Sequence, residues 1–175
     1  MLNKTSSVLC AALLFLSANA LIADNLNYPP KQLEFTPGVS REGGLILKTS
    51  APATATCTSR WNTVTVRVPG RLNYSPAMRL AGTVELNSTT PPAHLGFIVV
   101  CSDGKELYCK APLKTDSPTS FSVKLSDFTI ADGAKNPVSP TTEDYIEAIR
   151  VYASFREETE STFTLQDFSL LAGGE

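Results

Sequence analysis

Ile146-Glu-Ala-Ile-Arg-Val-Tyr-Ala-Ser-Phe155 and Phe163-Thr-Leu-Gln-Asp-Phe-Ser-Leu170, near the end of the 175-residue chain, decide the fold class. In the first stretch Ile149, Val151 and Ala153 alternate with Arg150, Tyr152 and Ser154. That is the period of a strand with one apolar and one polar face. Such a strand must bury its apolar face against a second sheet. In the second stretch Phe163 and Leu165 share one parity and Phe168 and Leu170 the other, which predicts a bulge at Asp167.

The same period recurs upstream. Val64, Val66 and Val68 share a face, as do Met78, Leu80, Gly82, Val84 and Leu86, and then Phe121, Val123 and Leu125. Leu95 to Cys101 is apolar almost throughout, as expected of a central strand covered on both sides. Asp103-Gly104 turns the chain into Leu107-Tyr-Cys-Lys110, and Leu33–Phe35 and Leu45–Lys48 are two early strand candidates. Pro69-Gly70 is expected to stop its strand. Thr49 to Ser59, rich in Thr, Ala and Ser, and Asp127 to Glu143 are expected loops. About eight strands with turn signals between them, and no helix beyond a turn or two at Thr142 to Ala148, predict an all-β antiparallel sandwich of jelly-roll type.

The first twenty residues stand apart. Lys4 is their only charge, Val8 to Leu16 is an apolar run, and Ala18-Asn-Ala20 offers small residues at a cleavage position. This layout predicts a secretory signal peptide over 1–20, removed from a linker at 21–32 and a β-sandwich domain at 33–172. The protein is therefore expected to be secreted, either to the periplasm or outside the cell. The apolar run is too short to span a bilayer, so no membrane partner is expected after cleavage. A net charge of −2 lacks the basic stripe that nucleic acid requires.

Export places Cys57, Cys101 and Cys109 in an oxidising compartment. Cys101 and Cys109 flank the Asp103-Gly104 turn and are the leading disulfide candidate. Pairing of Cys57 with either, or three buried thiols, are the alternatives. A thiolate–imidazole metal site is not expected, because His94 is the only histidine and no Cys-x-x-Cys occurs.

Four stretches, in order, resemble the galactose-binding-like β-sandwich, most nearly carbohydrate-binding modules of the family 4 and family 9 type. They are Gly43-Gly-Leu-Ile-Leu-Lys48; Trp61-Asn-Thr-Val-Thr-Val-Arg-Val-Pro-Gly70 leading to Met78-Arg-Leu-Ala-Gly-Thr-Val84; Val99-Val-Cys-Ser-Asp-Gly-Lys105 followed by Phe121-Ser-Val-Lys-Leu-Ser-Asp-Phe128; and Phe163 to Leu170. Together they cover roughly residues 42–171. The family's Asn-Gly-Asp-Phe-Glu-like opening is missing. The resemblance implies a secreted, non-catalytic domain that binds a poly- or oligosaccharide. The same fold also hosts structural and protein-interaction modules. It implies, in addition, a structural calcium held by Asp167 with early-strand oxygens, for which Glu34, Glu42 or carbonyls near Gly44 are the candidates.

Sugar binding needs aromatic faces against the apolar face of a pyranose and polar groups for its hydroxyls. Trp61, the only Trp, falls on the face opposite Val64 if that register extends back. Tyr152 and Arg150 lie on the polar face of their strand, and Tyr108 opposes Leu107 and Cys109. Trp61, Tyr108, Arg150 and Tyr152 are therefore the candidate ligand-binding residues, with Arg67 and Arg79 as further cations if their strands share the sheet. A lyase or glycosidase would need a Tyr/His pair or two facing carboxylates. His94, beside Pro91-Pro92, reads as a loop residue, and Glu143-Asp144 and Glu157-Glu158 read as solvated charge. No enzyme is expected.

Overall fold

The computed structural model describes residues 32–35, 38–39, 45–49, 51–113 and 118–173. The expected signal peptide, the linker up to residue 31 and residues 42–44 lie outside them, as does the side chain of Glu34. The strands are β1 (Gln32–Phe35), β2 (Gly38–Val39), β3 (Leu45–Lys48), β4 (Ala53–Asn73), β5 (Arg79–Ser88), β6 (His94–Cys101), β7 (Glu106–Ala111), β8 (Thr119–Lys124), β9 (Thr129–Ile130) and β10 (Tyr145–Leu171). They form one ten-stranded sheet that curls until its two halves face each other. Among the paired strands only β1 and β4 run parallel; every other pair is antiparallel.

Two long strands make the curl. β4 (21 residues) and β10 (27 residues) pair along most of their length. The ladder slips between Ser154, opposite Trp61, and Thr159, opposite Ser59. Residues 155–158 thus stand against Arg60 alone, and both strands turn the corner from one layer into the other. The second half of β4 and the first half of β10 belong to a layer ordered β1-β4-β10-β6-β7-β9. The remaining halves form the other layer with β5, β8 and β3.

The core lies between the layers. Phe97 of β6 meets Phe121 of β8 with ring centroids 4.9 Å apart, and Phe121 meets Phe168 of β10 at 6.5 Å. Val64, Val66, Leu80, Val84, Val99, Ile149, Val151 and Leu165 are all fully buried, as their parity requires. Each such side chain contributes roughly 1.5–3 kcal/mol through removal from water.

Several expectations are corrected. Residues 53–59 are not loop but the first half of β4, with Ala53, Ala55, Cys57 and Ser59 buried and Thr54, Thr56 and Thr58 exposed. The alternation was present; its inward members are small, so it carried little hydrophobic signal. Pro69-Gly70 does not end the strand. Residues 68–71 bulge against Glu147 alone, with Gly70 at φ 72°, and pairing resumes at Leu72 and Asn73. The two closing stretches are one bent strand. The bulge predicted at Asp167 is present: that residue sits at φ 48° and the register with β5 slips between Gln166 and Ser169. The turn after β6 has both Asp103 (φ 59°) and Gly104 (φ 72°) in the left-handed region.

No disulfide joins Cys101 to Cys109 in this structure. The register explains it. Cys109 stands opposite Phe97, four residues from Cys101 along β6. That offset is ~13 Å, about twice the Cα separation a disulfide spans. Burial, with Asp144 and Glu147 nearby, pushes the Cys101 thiol up to about 12.

Candidate functional site

The alternation of β10 sends Ile149, Val151 and Ala153 into the core, so Arg150 and Tyr152 emerge on the outer face of the first layer. Register then brings their neighbours into rows. Tyr152 pairs with Thr63 on one side and Gly96 on the other, and Gly96 pairs with Lys110. Arg150 lies between Thr65 and Ile98, and Ile98 is opposite Tyr108. Ser154 lies between Trp61 and His94. All four expected ligand residues therefore share one face. Arg67 shares it too, through its pairing with Ala148, whereas Arg79 is on β5 in the other layer.

The centre of this face is Tyr152. A Cβ placed on Gly96 would have Cζ of the Tyr152 ring as its nearest atom and would sit 2.6 Å from both Cε1 and Cε2. The phenolic oxygen is not among the three nearest atoms. The ring therefore lies flat over Gly96 rather than pointing its tip at it, and its other face is turned away from the sheet. Only glycine leaves room for this. The hydroxyls of Tyr152 and Tyr108 share a hydrogen bond, and the Tyr108 hydroxyl lies 3.1 Å from His94 Nε2. His94 stands edge-on to Tyr152 at 6.3 Å. These three rings brace one another. Burial and Lys110 lower the His94 pKa, and burial raises that of Tyr108.

Arg150 is engaged within the face, its Nη1 3.3 Å from Glu106 Oε1. Trp61 is 37% exposed, at the corner where β4 changes layer and diagonal to Tyr152. Thr63 and Thr65 beside them are buried, and Thr65 Oγ1 has no hydrogen-bond partner among the described residues.

His94 is the residue that sequence reasoning missed. It is the first residue of β6 rather than part of a loop, and it is half-buried on this face. Its parity with Gly96 and Ile98 was the available signal. Asp144 is a second correction: it is 6% exposed, not solvated. It accepts from Lys105 at 2.6 Å, Ser102 at 3.0 Å and the Thr141 backbone N–H at 2.7 Å. Lys105 first, and then the Thr141 amide, hold its carboxyl well below the usual carboxylate range. Glu143, Glu157 and Glu158 are exposed, as expected.

Of the expected calcium set, Glu42 and Gly44 lie outside the described residues. Asp167 is exposed on its bulge with Lys48 Nζ 3.8 Å away, and Glu34 lies on β1 beside Thr65, in the other layer. No group of three His, Cys, Asp or Glu side chains suited to a metal occurs among the described residues.

No protein-family model and no curated protein matches the chain. Among solved structures the chain is similar to a family 11 carbohydrate-binding module from Clostridium thermocellum, solved in complex with a β-1,3-1,4-mixed-linked tetrasaccharide. The TM-score is 0.50 at 12% identity, over 71% of this chain and 85% of that one. A solution structure of CtCBM11 matches at TM-score 0.47 and 11% identity, over 78% of this chain and 95% of that one. An agarase, AgWH50C, matches at 0.44 and 9%, over 79% of this chain but only 22% of the agarase. The first of these is a likeness of fold, a curled antiparallel β-sandwich, and the other two are weaker.

Proposed function

We propose that this chain is an exported, non-catalytic carbohydrate-binding domain of the galactose-binding-like, jelly-roll kind, and that its ligand lies on the outer face of the β1-β4-β10-β6-β7-β9 layer. One observation carries the reading: the ring of Tyr152 lies flat on Gly96 with its far face outward. A pyranose can stack its C–H face there. The hydroxyls and imidazole of Tyr108 and His94 can then meet sugar hydroxyls at the rim, and Trp61 extends the aromatic surface. Flat aromatic surface with a few polar groups suits a polymer that is held rather than cleaved. The fold likeness to a carbohydrate-binding module supports the reading without carrying it.

Affinity electrophoresis of the protein in gels containing a panel of polysaccharides tests it. Retardation is expected on at least one polymer, reduced at least tenfold in affinity by Tyr152→Ala and less by Trp61→Ala, with the thermal transition retained in both. Unretarded migration on every polymer would leave a structural or protein-interaction role for the same fold.

A further inference from the structure

We infer that the sugar taken by this face carries an anionic substituent, a carboxylate or a sulfate, and that Lys110 is its partner. The inference rests on the carbohydrate reading above and names the ligand class of the same site. The Tyr152 ring leans from β10 over Gly96 of β6, and Lys110 is the β7 residue directly opposite Gly96. Ring and ammonium thus share one cross-strand row, with neighbouring strands ~4.8 Å apart. A pyranose resting on the ring presents its equatorial substituents toward Lys110.

Lys110 is exposed and makes no ion pair among the described residues. Glu106, the acid on the same face of β7, is held by Arg150 at 3.3 Å. Asp132 acts on Tyr108 through space and makes no ion pair among the described residues. Burial first, and then Lys110, disfavour protonation of His94 on the same face. An anionic group beside Lys110 adds a charge-assisted hydrogen bond to the stacking contact. The whole chain carries net charge −2, so a polyanion is not drawn in by overall charge, and recognition falls to this local cation.

Titration of the full chain with three oligosaccharide classes tests the inference: oligogalacturonates (carboxylated), sulfated galactan oligomers, and uncharged β-glucan oligomers. The expected result is binding to the carboxylated or the sulfated class, weakened by added salt and weakened about tenfold by Lys110→Gln, with the thermal transition unmoved. The class that binds identifies the anion. Binding to uncharged β-glucans that Lys110→Gln leaves unchanged would overturn the anionic assignment while the sugar-binding face stands. Absence of binding in all three classes, together with unretarded migration on every polymer above, would remove both.

Discussion

Gly96 matters because it has no side chain. The Tyr152 ring occupies the volume a Cβ would need, so Gly96→Ala must lift the ring from the sheet. The expected outcome is a loss of sugar retardation comparable with that of Tyr152→Ala, with a stability cost of ~1–3 kcal/mol measured by denaturant unfolding. Unchanged retardation in Gly96→Ala would mean that the flat ring is not the platform. At this scale the sequence was half legible. The outward direction of Arg150 and Tyr152 follows from the period of their own strand. The roles of Gly96 and His94 do not, because they depend on which residue of β6 stands opposite β10, and that register is a tertiary fact. Arg150 illustrates the same limit: its parity was readable, its engagement by Glu106 was not.

Between elements, Asp144 ties the turn after β6 to the start of β10. Ser102 and Lys105 approach it from one side and Thr141 from the other. Its carboxyl is held below the usual range, so the folded state binds a proton less readily than the unfolded one. The stabilisation is therefore complete above the ordinary carboxylate value of ~4 and is lost as pH falls below it. Lys105 has its pKa raised, chiefly by its hydrogen bond to Asp144, so its share is present at neutral pH and lost only as pH rises past the lysine range. Asp144→Asn is expected to lower the melting temperature by several degrees at neutral pH, with the difference from the wild-type chain narrowing in acid. A constant difference across that range, read by calorimetry, would contradict the role given to the charge. Element boundaries were the least legible feature of the sequence. Thr54, Thr56 and Thr58 alternate with Ala53, Ala55 and Cys57, but small inward residues look like loop composition until a second layer is known to lie close against them. The lack of a Cys101–Cys109 disulfide follows from the same missing information, since the β6–β7 register separates the two residues.

In the whole molecule, two strands that change layer join what would otherwise be two separate sheets, and the phenylalanines between them close the sandwich. Phe97→Ala removes the ring that meets both Phe121 and Phe128, and is expected to cost ~3–5 kcal/mol in equilibrium unfolding. A cost near zero would mean that the layers do not share one core. The β-sandwich class was readable from strand period alone, because burial of one face forces a second layer whatever the strand order. The corner that bends β4 and β10 was not, because it arises where the two strands slip past each other. The proposed function depends on which surface would meet a sugar. Backbone amide shifts recorded while the labelled protein is titrated with a binding oligosaccharide measure this directly. Changes are expected to cluster at Trp61, His94, Gly96, Tyr108, Lys110 and Tyr152. Changes confined to the Thr54, Thr56, Thr162 and Thr164 face of the other layer would contradict it.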